Sequence, residues 1–63
     1  MKLKELIPIL PLAFLVYDMT HDTIFNVAHY RMLYLPKHAH YLEYHVYLIE
    51  SSDKHIVINI MED

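Results

Sequence analysis

A chain of 63 residues has room for one small domain, 1–63, and a domain of that size buries only ~60% of the surface its unfolded chain exposes. With no cysteine, disulfides, thiolate zinc sites and thiol catalysis are excluded together. A formal charge of −3, with Arg31 the single arginine among five basic residues, excludes the electrostatic footprint of a direct nucleic-acid binder.

The chain opens with Lys2, Lys4 and Glu5 ahead of an uncharged run from Leu6 to Tyr17. Glu5 is misplaced for a signal peptide, Pro8 and Pro11 interrupt the run, and no small-residue cleavage site follows it. The run is also too short for a membrane span, which needs ~20 apolar residues. A cytoplasmic protein without membrane contact is expected. Leu3, Leu6, Ile7 and Leu10 recur at helical spacing, so a helix of one to two turns is predicted over Lys2 to Ile7, ended by Pro8 and Pro11.

Two runs rich in β-branched and aromatic residues follow, Leu12 to Asp18 and Thr23 to Tyr34. The polar stretch Met19 to Asp22 (MTHD) separates them, which predicts a hairpin with a loop of about four residues. The chain has no glycine, so two-residue primed turns are disfavoured and longer loops are expected. Pro36 then suits the first position of a helical turn, on which Leu35, Ala39 and Leu42 would form an apolar stripe. A second hairpin is predicted from Tyr44 to Glu50 and His55 to Met61 around the turn Ser51 to Lys54. In its last strand Ile56, Ile58 and Ile60 alternate with His55, Val57, Asn59 and Met61, the pattern of a half-buried strand. The expected fold is α+β: a four-stranded antiparallel sheet from two β-hairpins, with short helices at the N-terminus and between the hairpins.

Chemistry-bearing residues cluster in PKHAHYLEYH, Pro36 to His45. In an extended chain His38 and His40 would face one side and could share a metal with Glu43 or His45. On the predicted helical turn they point about 200° apart, which removes that chelate, and no metal or other cofactor is expected. Protonating all six histidines would turn the net charge from −3 to +3, so a metal-binding or pH-responsive module remains the alternative function. His21 between Asp18 and Asp22 has the minimum of an oriented base. No nucleophile, glycine-rich loop or oxyanion-hole sequence accompanies it, so no enzyme is expected.

Tyrosine offers an apolar face with a polar tip and is enriched at the energetic centres of interfaces. Tyr30, Tyr34, Tyr41, Tyr44 and Tyr47 are therefore the expected protein-binding anchors, with Arg31 able to make a bidentate contact to a carboxylate. Hydrophobic residues make up 56% of the chain, more than so small a domain can hide. A homodimer is expected on that ground, with a small structural or assembly subunit as a further alternative.

The opening MKLKELI, the strand end VYD (Val16 to Asp18), the Leu35–Pro36 pair and the terminal strand IVINI together resemble small open reading frames of phages, prophages and mobile elements in low-GC Gram-positive bacteria. Those frames often carry glycine in the first hairpin turn, where this chain has MTHD. The resemblance implies a viral accessory protein that binds and inhibits a host protein, most plausibly a bacterial immune component in the manner of anti-CRISPR proteins. It implies no catalytic residues.

Overall fold

The computed structural model describes residues 1–52 and 54–62. Helix α1 spans Leu3–Leu6, and its first turn is closed by the Lys2 amide donating to Glu5 Oε1 at 2.7 Å. Pro8 has no amide hydrogen to extend that ladder, so the chain tightens into a 3-10 turn, η1 (Ile7–Ile9). The predicted stripe is the buried face: Leu3, Leu6 and Ile7 are in the core and Leu10 packs against it.

Strands β1 (Phe14–Asp18) and β2 (Thr23–Val27) form the first hairpin, in antiparallel register from Phe14 opposite Val27 to Asp18 opposite Thr23. Met19 to Asp22 make the connection, as the sequence predicts. With no glycine available, Asp22 takes the left-handed conformation, at φ 50°.

The second strand does not run on to Tyr34. It ends at Val27, and Tyr30–Tyr34 coil into a 3-10 helix, η2. Val27 pairs with Phe14, the first residue of β1, and beyond it the neighbouring chain is the proline turn, which cannot continue a ladder. Coiling instead buries Leu33 completely. His29 caps the new helix by accepting from the Arg31 amide at 3.2 Å, and the Ala28 amide donates to Met32 Sδ at 3.3 Å.

The predicted helical turn after Pro36 is a second 3-10 helix, η3 (Ala39–Glu43), entered through the His38 and Ala39 amides donating to Leu35. Ala39 and Leu42 are half-buried, whereas Leu35 is 47% exposed and lies outside the core. Strands β3 (His45–Ser52) and β4 (His55–Met61) form the second hairpin, whose ladder reaches Ser52 opposite His55 and so enters the stretch expected as a four-residue turn. Asp53 of that turn lies outside the described residues.

The sheet has four strands in the order β2-β1-β4-β3, and β1 pairs with β4 in parallel. The expectation of a purely antiparallel sheet is corrected to a mixed one. The segment η2 to η3 carries the chain across one face of the sheet to its far edge, so β3 arrives outermost and β4 returns inside it, running with β1. That order places the most apolar strand centrally: Ile58 and Ile60 are fully buried beside Val16. At the start of edge strand β3 the Val46 amide donates to the Met1 carbonyl and the Leu3 amide to the Tyr44 carbonyl. A register shift between Val46 and Leu48 then marks a bulge at Tyr47. Among the described residues, no helix is long and apolar enough to cross a membrane.

Candidate functional site

The predicted anchors fall in three places. On η2, a 3-10 helix brings residues three apart onto one side, so Arg31 and Tyr34 share a face and Tyr30 shares the face of buried Leu33. Tyr34 is 56% exposed and Tyr30 38%, and Arg31 is exposed beside them. The Tyr30 ring rests at 4.6 Å from the His29 ring and leans toward the N-terminal proline turn. There it closes an open groove of about 500 Å³ with Ile7, Pro8, Leu10, Pro11 and Leu12. Leu12 is 65% exposed and neighbouring Ile9 77%.

Tyr41 and Tyr44 lie elsewhere, against the inner face of the sheet. Tyr44 is buried within the core, edge-on to Tyr41 at 5.0 Å. His40 lies over Tyr41 at 4.1 Å, and His38 stacks on Phe25 at 4.8 Å with an interplanar angle of 2°. His38 Nδ1 is buried without a hydrogen-bond partner, and burial, then the charges of Lys37 and His40, hold the imidazole below its ordinary pKa. Tyr47 is exposed at the bulge of β3. The structure thus places Tyr30, Arg31 and Tyr34 on η2, with Tyr30 on a different side from Arg31 and Tyr34, turns Tyr44 inward with Tyr41 packed against it, and leaves Tyr47 exposed on β3.

His38 stacks on Phe25 and reaches Tyr41 at 6.2 Å, His40 lies over Tyr41, and His45 begins the edge strand. Among the described residues no group of three or more histidine, aspartate or glutamate side chains is placed to hold a metal ion. Glu43 is taken by Lys2 and Lys4, each at 2.9 Å.

The pair Asp18 and His21 is built as a turn lock. Asp18 is fully buried; Oδ1 accepts from the Thr20 and His21 amides at 3.0 and 3.2 Å, and Oδ2 meets His21 Nδ1 at 2.8 Å. Burial pushes this carboxyl upward, but the side-chain and backbone hydrogen bonds of His21 and its charge outweigh that, with a smaller contribution from Tyr41, and hold it below the ordinary range. Asp22 is engaged separately, accepting from the Tyr17 hydroxyl at 2.5 Å. The carboxylate therefore organises the hairpin loop.

Composition singles out Tyr30, Arg31 and Tyr34 as candidates, but not the groove. Pro8 and Pro11 were legible as helix breakers. Their second role, as an exposed wall that keeps Ile9 and Leu12 at the surface, depends on η2 folding back beside them. The chain matches no protein-family model, no curated protein and no solved structure.

Proposed function

We propose that the chain is a non-enzymatic protein-binding module whose working face is the groove between the proline turn and η2, with Tyr30, Arg31 and Tyr34 on its rim. The observation that carries this reading is exposed apolar surface at the groove: of its lining residues Leu12 is 65% and Tyr30 38% exposed, and Ile9, between the lining residues Pro8 and Leu10, is 77% exposed. Patches of that kind mark sites that a partner covers. The resemblance to small phage and mobile-element frames supplies the class of target: a cytoplasmic host protein, foremost a component of bacterial immunity, which the module would inhibit by occupying its surface.

The self-association expected from composition belongs in this reading to a different surface. The edge strand β3 exposes Tyr47, Leu48 and Ile49 at 64, 47 and 48%, and its outer side beyond Val46 has no neighbouring strand among the described residues. Pairing of two copies there would leave the groove free.

The test is recovery of partners from host lysate on the immobilised chain, alongside a defence-interference assay in the same host. The expected result is a partner captured by the wild type and by Tyr47→Ala, lost with Leu12→Asp or with Tyr34→Ala, and interference lost in parallel. Capture that survives Leu12→Asp, or interference that survives loss of capture, contradicts the proposal.

A further inference from the structure

We infer that the groove takes an apolar segment of its protein partner that presents side chains rather than a backbone edge and that is flanked by carboxylates. This rests on the reading of the groove as the binding face and names what fits it.

The first part follows from the chemistry of the walls. Five of the six lining residues are Ile7, Pro8, Leu10, Pro11 and Leu12, and the sixth contributes the Tyr30 ring. No charged group lines the groove, so an apolar anchor enters at no electrostatic cost, and about 500 Å³ lies within the ~300–1,000 Å³ typical of ligand sites. Strand addition is a poor fit here. Pro8 and Pro11 have no amide hydrogen, and the Leu10 amide already donates to the Ile7 carbonyl at 3.2 Å. A wall so short of backbone donors cannot zip to an incoming strand, so affinity must come from side chains buried in the groove, as in recognition of a helix or turn by apolar anchors.

The second part follows from charge. The chain carries eight acidic residues, yet none lies between Leu6 and Tyr17 or between Thr23 and Leu42, the two stretches that contain the groove walls. The second stretch holds Arg31 and Lys37. Arg31 forms no salt bridge among the described residues, while Lys2 and Lys4 are engaged by Glu43. The groove-wall stretches of a chain of net charge −3 thus carry no acid of their own, and exposed Arg31, next in sequence to Tyr30, has a guanidinium without a salt bridge among the described residues. Carboxylates flanking the anchor would complement Arg31, and a guanidinium binds them in bidentate geometry. Cations there would meet Arg31 with like charge.

The test uses short synthetic peptide probes sharing one leucine- and phenylalanine-containing core, with flanks of glutamate, glutamine or lysine, read by fluorescence anisotropy against the full chain. The glutamate-flanked probe is expected to bind at least about fivefold tighter than the lysine-flanked one, with a preference that weakens at high salt. Arg31→Glu should reverse that order, and Leu12→Asp should weaken every probe about tenfold or more. Tyr47→Ala should change nothing. Leu12 and Arg31 are exposed, so the variants should melt with the wild type, and Leu12→Gln replaces any Leu12→Asp protein that does not.

Equal affinity across the three flanks, or an order unchanged by Arg31→Glu, overturns the carboxylate assignment while leaving a binding groove in place. Probe binding that survives Leu12→Asp overturns the groove itself as the site. Failure of every probe overturns this inference, whereas the binding-module reading stands or falls separately on partner capture. Dissociation of a wild-type dimer by Leu12→Asp would show that a second copy fills the groove and would overturn the inference too.

Discussion

Asp18 and His38 are the two residues whose surroundings most constrain the chain's behaviour. Asp18 is an ionised carboxylate without solvent contact, satisfied by the Thr20 and His21 amides and the His21 ring. Its pKa is depressed on folding, so it contributes stability that is present above the unfolded value of ~3.9 and is lost as pH falls through the folded value. Asp18→Asn should lower unfolding free energy by roughly 1–3 kcal/mol at neutral pH, since a charged acceptor becomes a neutral one in a buried site. Urea denaturation at pH 7 and below pH 4 checks this: the gap between variant and wild type should narrow in acid, and a gap independent of pH would refute it. His38 has the opposite chemistry. Its pKa is lowered chiefly by burial, so the unfolded chain binds its proton more readily, and stability should decline as pH falls below ~6.5. His38→Phe keeps the ring stacked on Phe25 and removes the proton, so its melting temperature should lose part of that decline. A slope identical to the wild type's would place the titration elsewhere.

At the scale of elements, the first hairpin shows what local sequence can and cannot specify. Its loop was legible because MTHD is polar punctuation between β-rich runs, and the Asp18 and Asp22 side chains do hold it. Asp22 sits at φ 50°, a conformation that costs a residue with a Cβ roughly 1–2 kcal/mol and that asparagine tolerates well. Asp22→Asn, which retains an acceptor for Tyr17, is expected to match the wild type within about 0.5 kcal/mol, and Asp22→Ala to lose about 1 kcal/mol or more. Equal stability of the alanine variant in chemical denaturation would contradict the role given to this loop. The other end of the hairpin was not legible. Ala28 to Tyr34 has strand-like composition, but a strand needs a partner, and β1 starts only at Phe14. The same reason hid the parallel pairing: the alternation of Ile56, Ile58 and Ile60 announces a strand, whereas its neighbour is decided by where η2 and η3 carry the chain. Of the candidate site, the tyrosine-rich composition was readable, and the inward turn of Tyr44 was not, because it depends on the sheet face that η3 covers.

The whole molecule is a one-layer sheet with short helices on one face, thinly cored and still carrying exposed apolar residues, among them those at the groove and along the β3 edge. In the proposed function a second copy covers the edge and a partner covers the groove. Leu48→Lys places a charge on the edge strand, the device by which natural sheets discourage strand pairing. Light scattering should show a wild-type dimer becoming a monomer, with the groove variant Leu12→Asp still dimeric. A monomeric wild type, or a dimer indifferent to Leu48→Lys, would show that the β3 edge does not pair two copies.

Docking of a partner in the groove beside Tyr30, as proposed, can be read out by site-specific photo-crosslinking in host cells. A photoreactive phenylalanine analogue placed at Leu12 should yield one dominant adduct with a host protein, diminished by Arg31→Glu, while the same analogue at Ile24 on the open sheet face yields none. Adducts arising from Ile24 and not from Leu12, or none from Leu12 in cells where the chain is active, would contradict it.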